Sequence, residues 1–185
     1  MILRVRKMGD PILLRPAVRV RDFSDPKLKE LVANMWDTME ATGGVGIAAP
    51  QVGVSLQVIC FGMEKSLRYP GAPSVPRTVL INPKIEPIGD ERQIGWEGCL
   101  SVPGLRAQVP RWERIRYTGF DLEGNPIDRE VTGFHARVVQ HESDHLIGRL
   151  YPSRIEDFST FGYVELVCPE ALKGEEEKLG KANAE

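Results

Sequence analysis

Six residues, Gln140-His141-Glu142-Ser143-Asp144-His145, constrain this 185-residue chain more than any others. They contain an H-E-x-x-H pattern. At roughly 100° per residue, a helix sets His141 and His145 about 40° apart and one turn up, so both imidazoles can reach one ion. Glu142, on the edge of that face, can reach a water on the ion without displacing it. A metal lowers the pKa of its water towards about 7, and a nearby carboxylate can take the proton. The surrounding pattern predicts a helix. Thr132 precedes it, apolar residues recur from Phe134 to Leu146, and Gly148 closes it. Phe134 and Val138 continue the stripe of the two histidines, which points the ligand face into the core. Of the three histidines, only His135 is left over, and it reads as a surface or capping residue.

The rest of the chain supplies a container for such a helix. Ser24-Asp25-Pro26 is a helix start, and Leu28, Leu31, Val32, Met35, Trp36 and Met39 recur at helical spacing until Thr42-Gly43-Gly44. Period two follows in 54–61 and 78–82, across a Pro/Gly loop over 69–76. Residues 112–120 and 127–131 alternate about Glu123-Gly124-Asn125 and read as a hairpin. Residues 151–168 also read as strand-like. Short turns rather than helices join the strands, which predicts an α+β fold with mostly antiparallel sheets around a central helix carrying H-E-x-x-H. Apolar residues at 42 % and charged residues at 27 % are the mix of an ordinary soluble domain. One domain is expected over 1–169, with a polar, mobile tail over 170–185.

Composition also removes whole classes of function. The net charge of −2 argues against broad binding to nucleic acid or anionic membranes. No apolar run approaches the roughly 18 residues of a membrane span, and no signal peptide is visible. Cys60, Cys99 and Cys168 form no disulfide framework and suit a reducing compartment. A cytoplasmic location is expected.

An open catalytic site needs a third protein ligand. Glu165 lies twenty residues beyond His145, but within the strand-like 161–167. Cys99 lies in Trp96-Glu97-Gly98-Cys99-Leu100-Ser101, a glycine-flanked segment between strands. The residues alone leave both open.

Three segments occur in order: Gly44-Val45-Gly46-Ile47-Ala48-Ala49-Pro50-Gln51, Glu97-Gly98-Cys99-Leu100-Ser101 and Gln140 to His145. Together they resemble the signature motifs of the peptide deformylases, over most of the chain from the first helix to Tyr151. The resemblance implies a hydrolase that removes the formyl group from the N-terminal formyl-methionine of new polypeptides and releases formate. It implies Cys99, His141 and His145 as ligands of one divalent metal, Fe(II) with Zn(II) as the alternative, and a water on that metal as nucleophile. Glu142 would be the general acid/base, with the Gln51 side chain and the Leu100 N–H as oxyanion donors. Peptide would add along Val45 and Gly46, with Gly98 as a further backbone contact. Phe134, Val138, His141 and the stem of Arg106 would line a methionine pocket, with Glu97 pairing Arg106. Pro50 stands where bacterial members often carry threonine. The strand-like ending fits a subgroup that includes organellar members, so an organellar location after leader removal is the alternative to a cytoplasmic one. Nascent chains are the expected partner and ribosome association would be transient. No sequence-specific nucleic-acid or membrane contact is expected.

Overall fold

The computed structural model describes residues 1–64, 69 and 71–171, so the expected tail lies outside the described residues from 172 onward. Helix α1 spans Pro26–Ala41. Asp25 caps it by accepting the Lys27 N–H, and Pro26 sits in the first turn, where its missing donor costs nothing. The helix buries Leu28, Leu31, Val32, Met35 and Met39. Trp36 packs at the edge of that cluster under the Arg77 guanidinium. Gly43, at φ 64°, then turns the chain into the left-handed region that glycine enters at little cost.

The first sheet holds β1 (Gly46–Ala48), β2 (Val58–Met63), β3 (Val75–Pro87), β6 (Arg114–Phe120) and β7 (Pro126–Thr132), in the order β1-β2-β3-β6-β7. The second holds β4 (Arg92–Cys99), β5 (Val102–Trp112) and β8 (Gly162–Tyr163). All ladders are antiparallel, as expected. The β6–β7 hairpin runs from Arg114↔Thr132 to Phe120↔Pro126. Helix α2, Gly133–Leu146, packs between the sheets and is buried nearly all round from Ala136 onward.

Three local expectations are corrected. The segment around Cys99, expected between strands, lies within the long β4–β5 hairpin over 92–112, and Trp112, expected to open the next strand, ends β5. In β4 the apolar pattern is inverted, with Ile94 exposed at 65 % and Glu97 buried at 2 %, while β5 buries Val102, Ala107 and Val109. The segment 151–168 is mostly not strand. It makes two 3₁₀ turns, Tyr151–Arg154 and Phe158–Thr160, the short β8, and one helical turn, α3, Val164–Val167. His135 is half-buried rather than superficial, its ring 5.7 Å from that of Phe61 and 5.8 Å from that of Tyr117, because the first turn of α2 faces the larger sheet.

Candidate metal centre

Cys99 closes β4 at a register shift. Gly98 still faces Arg106 across the hairpin, but Cys99 faces Val102. Such a bulge bends the strand and re-aims a side chain, and the thiol ends buried beneath α2. There the ligand atoms of Cys99, His141 and His145 lie within 4.8 Å of one another. The Cys99 Sγ stands 3.4 Å from His145 Nε2. Glu165, exposed on α3, is not in that group. A buried thiol beside two imidazoles is a donor set for a soft or borderline divalent ion such as Fe(II) or Zn(II).

Behind His141 the polar groups are engaged, whereas His145 Nδ1 is buried without a hydrogen-bond partner. His141 Nδ1 lies 2.8 Å from Glu97 Oε2, which turns the other ring nitrogen towards the cysteine. Glu97 was expected to pair with Arg106, and here the structure differs. It takes Arg111 through Nε at 2.8 Å and Nη2 at 3.0 Å, and Arg137 Nη1 at 3.0 Å. Strand parity is the reason. Glu97 sits opposite Ala107, so Ala107, Val109 and Arg111 share its face, while Arg106 is opposite Gly98 on the other. Arg106 lies over the Tyr69 ring instead, 4.8 Å from its centroid. Burial alone would raise the Glu97 carboxyl. The Arg111 guanidinium and the His141 hydrogen bond overcome that and hold it well below the usual carboxylate range. The network continues outward, from Arg111 Nη1 to Asp144 Oδ2 at 2.6 Å and from Asp144 to Arg154. Gly95 makes room for it, since a Cβ there would stand 2.9 Å from Arg137 Cζ.

In front of the ligands atoms are left open. Glu142 is buried, its Oε2 has no hydrogen-bond partner, and burial pushes its carboxyl up to about 7. It packs on Gly46, where a Cβ would come within 2.4 Å of Glu142 Oε1, so any larger residue there would have to displace the Glu142 side chain. Gln51 is fixed by the Ala48 N–H, which donates to its Oε1 at 2.8 Å. Its Nε2 therefore points at Ser101 Oγ (3.2 Å) and Cys99 Sγ (3.5 Å). A cavity opens beside these groups, lined among others by Val45, Gly46, Gly98, Phe134 and Val138. Arg106 belongs to an adjoining cavity beyond Gly98 and Leu100. The Gly98 N–H donates to the Tyr69 hydroxyl at 3.3 Å.

Tyr69, Arg111 and Arg137 are the site residues that sequence reasoning missed. Tyr69 was read as part of a loop. The two arginines could have been found by parity, had β4 and β5 been placed.

The polypeptide deformylase family model matches residues 2–160. Peptide deformylase 1 of Bordetella pertussis is 59 % identical over 170 residues, covering 92 % of this chain and 97 % of that protein. Peptide deformylase 1 of Xanthomonas campestris pv. campestris is 59 % identical over 167 residues, 90 % of this chain and 98 % of its own. Among solved structures, a Met-Ala-Ser-bound class I type b peptide deformylase from Acinetobacter baumannii is similar at TM-score 0.81 and 41 % identity, over 84 % of this chain and 99 % of that one. An actinonin complex of a peptide deformylase from Synechococcus elongatus gives TM-score 0.75 and 35 % identity, over 95 % and 85 % of the two chains.

Proposed function

Since the chain belongs to the polypeptide deformylase family, we propose a division of labour among its residues for the reaction of that family. The protein is a metal-dependent hydrolase that removes the formyl group from the N-terminus of newly made polypeptides. Cys99, His141 and His145 are the residues to hold the ion, with Fe(II) proposed and Zn(II) accommodated equally well by the donor set. When bound, such an ion supplies Lewis-acid chemistry, activating water and polarising the formyl oxygen.

The remaining work falls to the chain. Glu142 accepts the proton of the attacking water and delivers it to the departing amine. Its open Oε2 and its carboxyl pushed up to about 7 suit both directions of transfer near neutral pH. The Gln51 amide, locked with its N–H₂ end inward, and the Leu100 N–H donate to the oxygen that gains charge in the transition state. β1 is the edge of its sheet, so an extended peptide can add beside Val45 and Gly46. Phe134 and Val138 receive the methionine side chain. Glu97, expected among the substrate contacts, serves instead to orient His141. Gly98 retains only its carbonyl for substrate while the Tyr69 hydroxyl holds its N–H. Arg106 borders the outer cavity, where later residues of the peptide would pass. The Met-Ala-Ser complex of the Acinetobacter baumannii protein supports a peptide beginning with methionine as the ligand of this cleft. A cytoplasmic location and transient ribosome association are proposed with it. Among the described residues no helix is long and apolar enough to cross a membrane.

The observation that carries this reading is the buried Cys99–His141–His145 group with the open Glu142 carboxylate beside it. The test is formate release from a formyl-methionyl peptide by anaerobically purified protein of counted metal content. About one metal per chain, with release lost in Glu142→Gln while the metal stays, is expected. Full metallation without formate release would overturn it.

A further inference from the structure

Four exposed arginines on the sheets are paired, Arg77 with Glu40, Arg92 with Glu156, Arg114 with Glu130 and Arg116 with Asp128, while Arg129 on β7 stands without a carboxylate among the described residues. The segment over 15–21 gathers three more without one. Arg15, Arg19 and Arg21 are exposed, and none has a carboxylate partner among the described residues. Their backbone is nonetheless fixed. The Ala17 N–H donates to Leu146 O at 2.8 Å, and the Val18 N–H donates to Ser55 O at 3.0 Å. The Asn82 side chain takes both the N–H and the C=O of Val20, each at 2.9 Å. With Ala17 and Val20 buried, the strap has its inner side committed and its guanidiniums outward.

Neighbouring cations extend the strip. Exposed Lys27 lines one groove with Arg19 and Arg21, and exposed Arg149 lies two residues beyond the Pro16–Ile147 bridge. Two acids share that groove, Asp22, which accepts from Ser24, and Asp25, which caps α1, so the cations outnumber them there by three to two. Residues 1–29 carry eight cations and three carboxylates, a net +5 within a chain of net −2. A whole-chain charge that argues against polyanion binding therefore conceals a strongly polarised molecule.

We propose that this strap docks on the phosphodiester backbone of structured RNA without reading its sequence. Guanidiniums match phosphate oxygens in a bidentate fork, and no aromatic residue in 15–21 offers a surface for stacking bases. The choice of RNA over other polyanions rests on the deformylase reading, because newly made chains begin at an RNA-rich machine. The strap crosses the C-terminal end of α2, whereas Phe134, Val138 and Glu142 line the cavity further towards its start, so docking leaves the cavity accessible.

The test is fluorescence anisotropy of a labelled mixed-sequence RNA duplex of about 16 base pairs, titrated with metal-loaded protein at several salt concentrations. The variant Arg15→Gln/Arg19→Gln/Arg21→Gln is compared with Arg92→Gln/Arg114→Gln/Arg116→Gln, which removes the same charge from paired positions. Binding should weaken at least about tenfold in the first and within about twofold in the second, with a salt slope shallower by about two to three in the first alone. No binding by wild type at low salt, equal losses in both variants, or equally tight strap-dependent binding to anionic phosphatidylglycerol vesicles would each overturn the proposal. Formate release from a soluble formyl-methionyl tripeptide should be unchanged in both variants. Its absence in wild type would count against the deformylase reading alone.

Discussion

Two buried glutamates flank the proposed metal ligands, and they live in opposite environments. Glu97, behind His141, is gripped by two guanidiniums and an imidazole and held ionised. Glu142, in front, keeps one oxygen without a partner and a carboxyl pushed up to about 7. The same side chain is suited to holding structure where every lone pair is committed and to moving a proton where one is left open. Burial by itself distinguishes nothing, since both are almost wholly removed from solvent.

The largest effect should come from the front. Glu142→Gln should lower formate release by about 10³-fold, within the range of general acid–base catalysis, while metal content stays near one per chain. The same change should stabilise metal-free protein at neutral pH. A carboxyl near 4.5 when unfolded and about 7 when folded makes stability fall as pH rises between those values and level off above. Melting curves of stripped wild type should show that slope, and the Gln variant should lack it. The comparison breaks if both proteins follow one curve.

Behind the metal the pattern should reverse. Glu97→Gln leaves Arg137 buried without a carboxylate and Arg111 with Asp144 alone, so denaturant unfolding should show a loss of about 3 kcal/mol, towards the low end for a broken buried pair. Metal affinity should drop about 10- to 100-fold through His141, measured by competition with a chelator. Formate release at saturating metal should survive better than in Glu142→Gln. Gly46→Ala should follow, with release reduced about tenfold as the added methyl displaces Glu142, a strain of the order of 1–3 kcal/mol. Last, Glu165→Gln should change neither metal content nor rate, because that carboxylate is exposed and outside the ligand group. Loss of metal there would undo the assignment of Cys99.

Much of this architecture was legible wherever apolar residues face inward. Asp25-Pro26, the stripe of Leu28 to Met39 and the 114–132 hairpin obey ordinary patterning. Helix α2 announced itself through Phe134, Val138 and the two histidines. Legibility failed where the interior is polar. β4 buries Glu97 and shows Ile94 to solvent, because its inner face must meet the Arg137 guanidinium rather than a methyl group. With the strand unseen, the parity that sends Arg111 rather than Arg106 to Glu97 could not be used. In 151–168 the alternation belongs to short turns, Tyr151 being fully buried against His141 while Tyr163 and Leu166 stay exposed. Cys99 was named through the family resemblance, since a bulge that re-aims one thiol leaves no periodic trace.

The distribution of the ligands along the chain has a consequence in time. Cys99 ends strand β4 of one sheet, and both histidines come from the helix between the two sheets. During synthesis the thiol emerges about forty residues before its first imidazole, and Arg154, which closes the outer end of the network on Asp144, comes later still. A growing copy of this enzyme therefore carries Cys99 without its proposed partners until His145 has been made. Loading of the proposed ion then has to follow synthesis of His145, and until then the thiol lies open to oxidants.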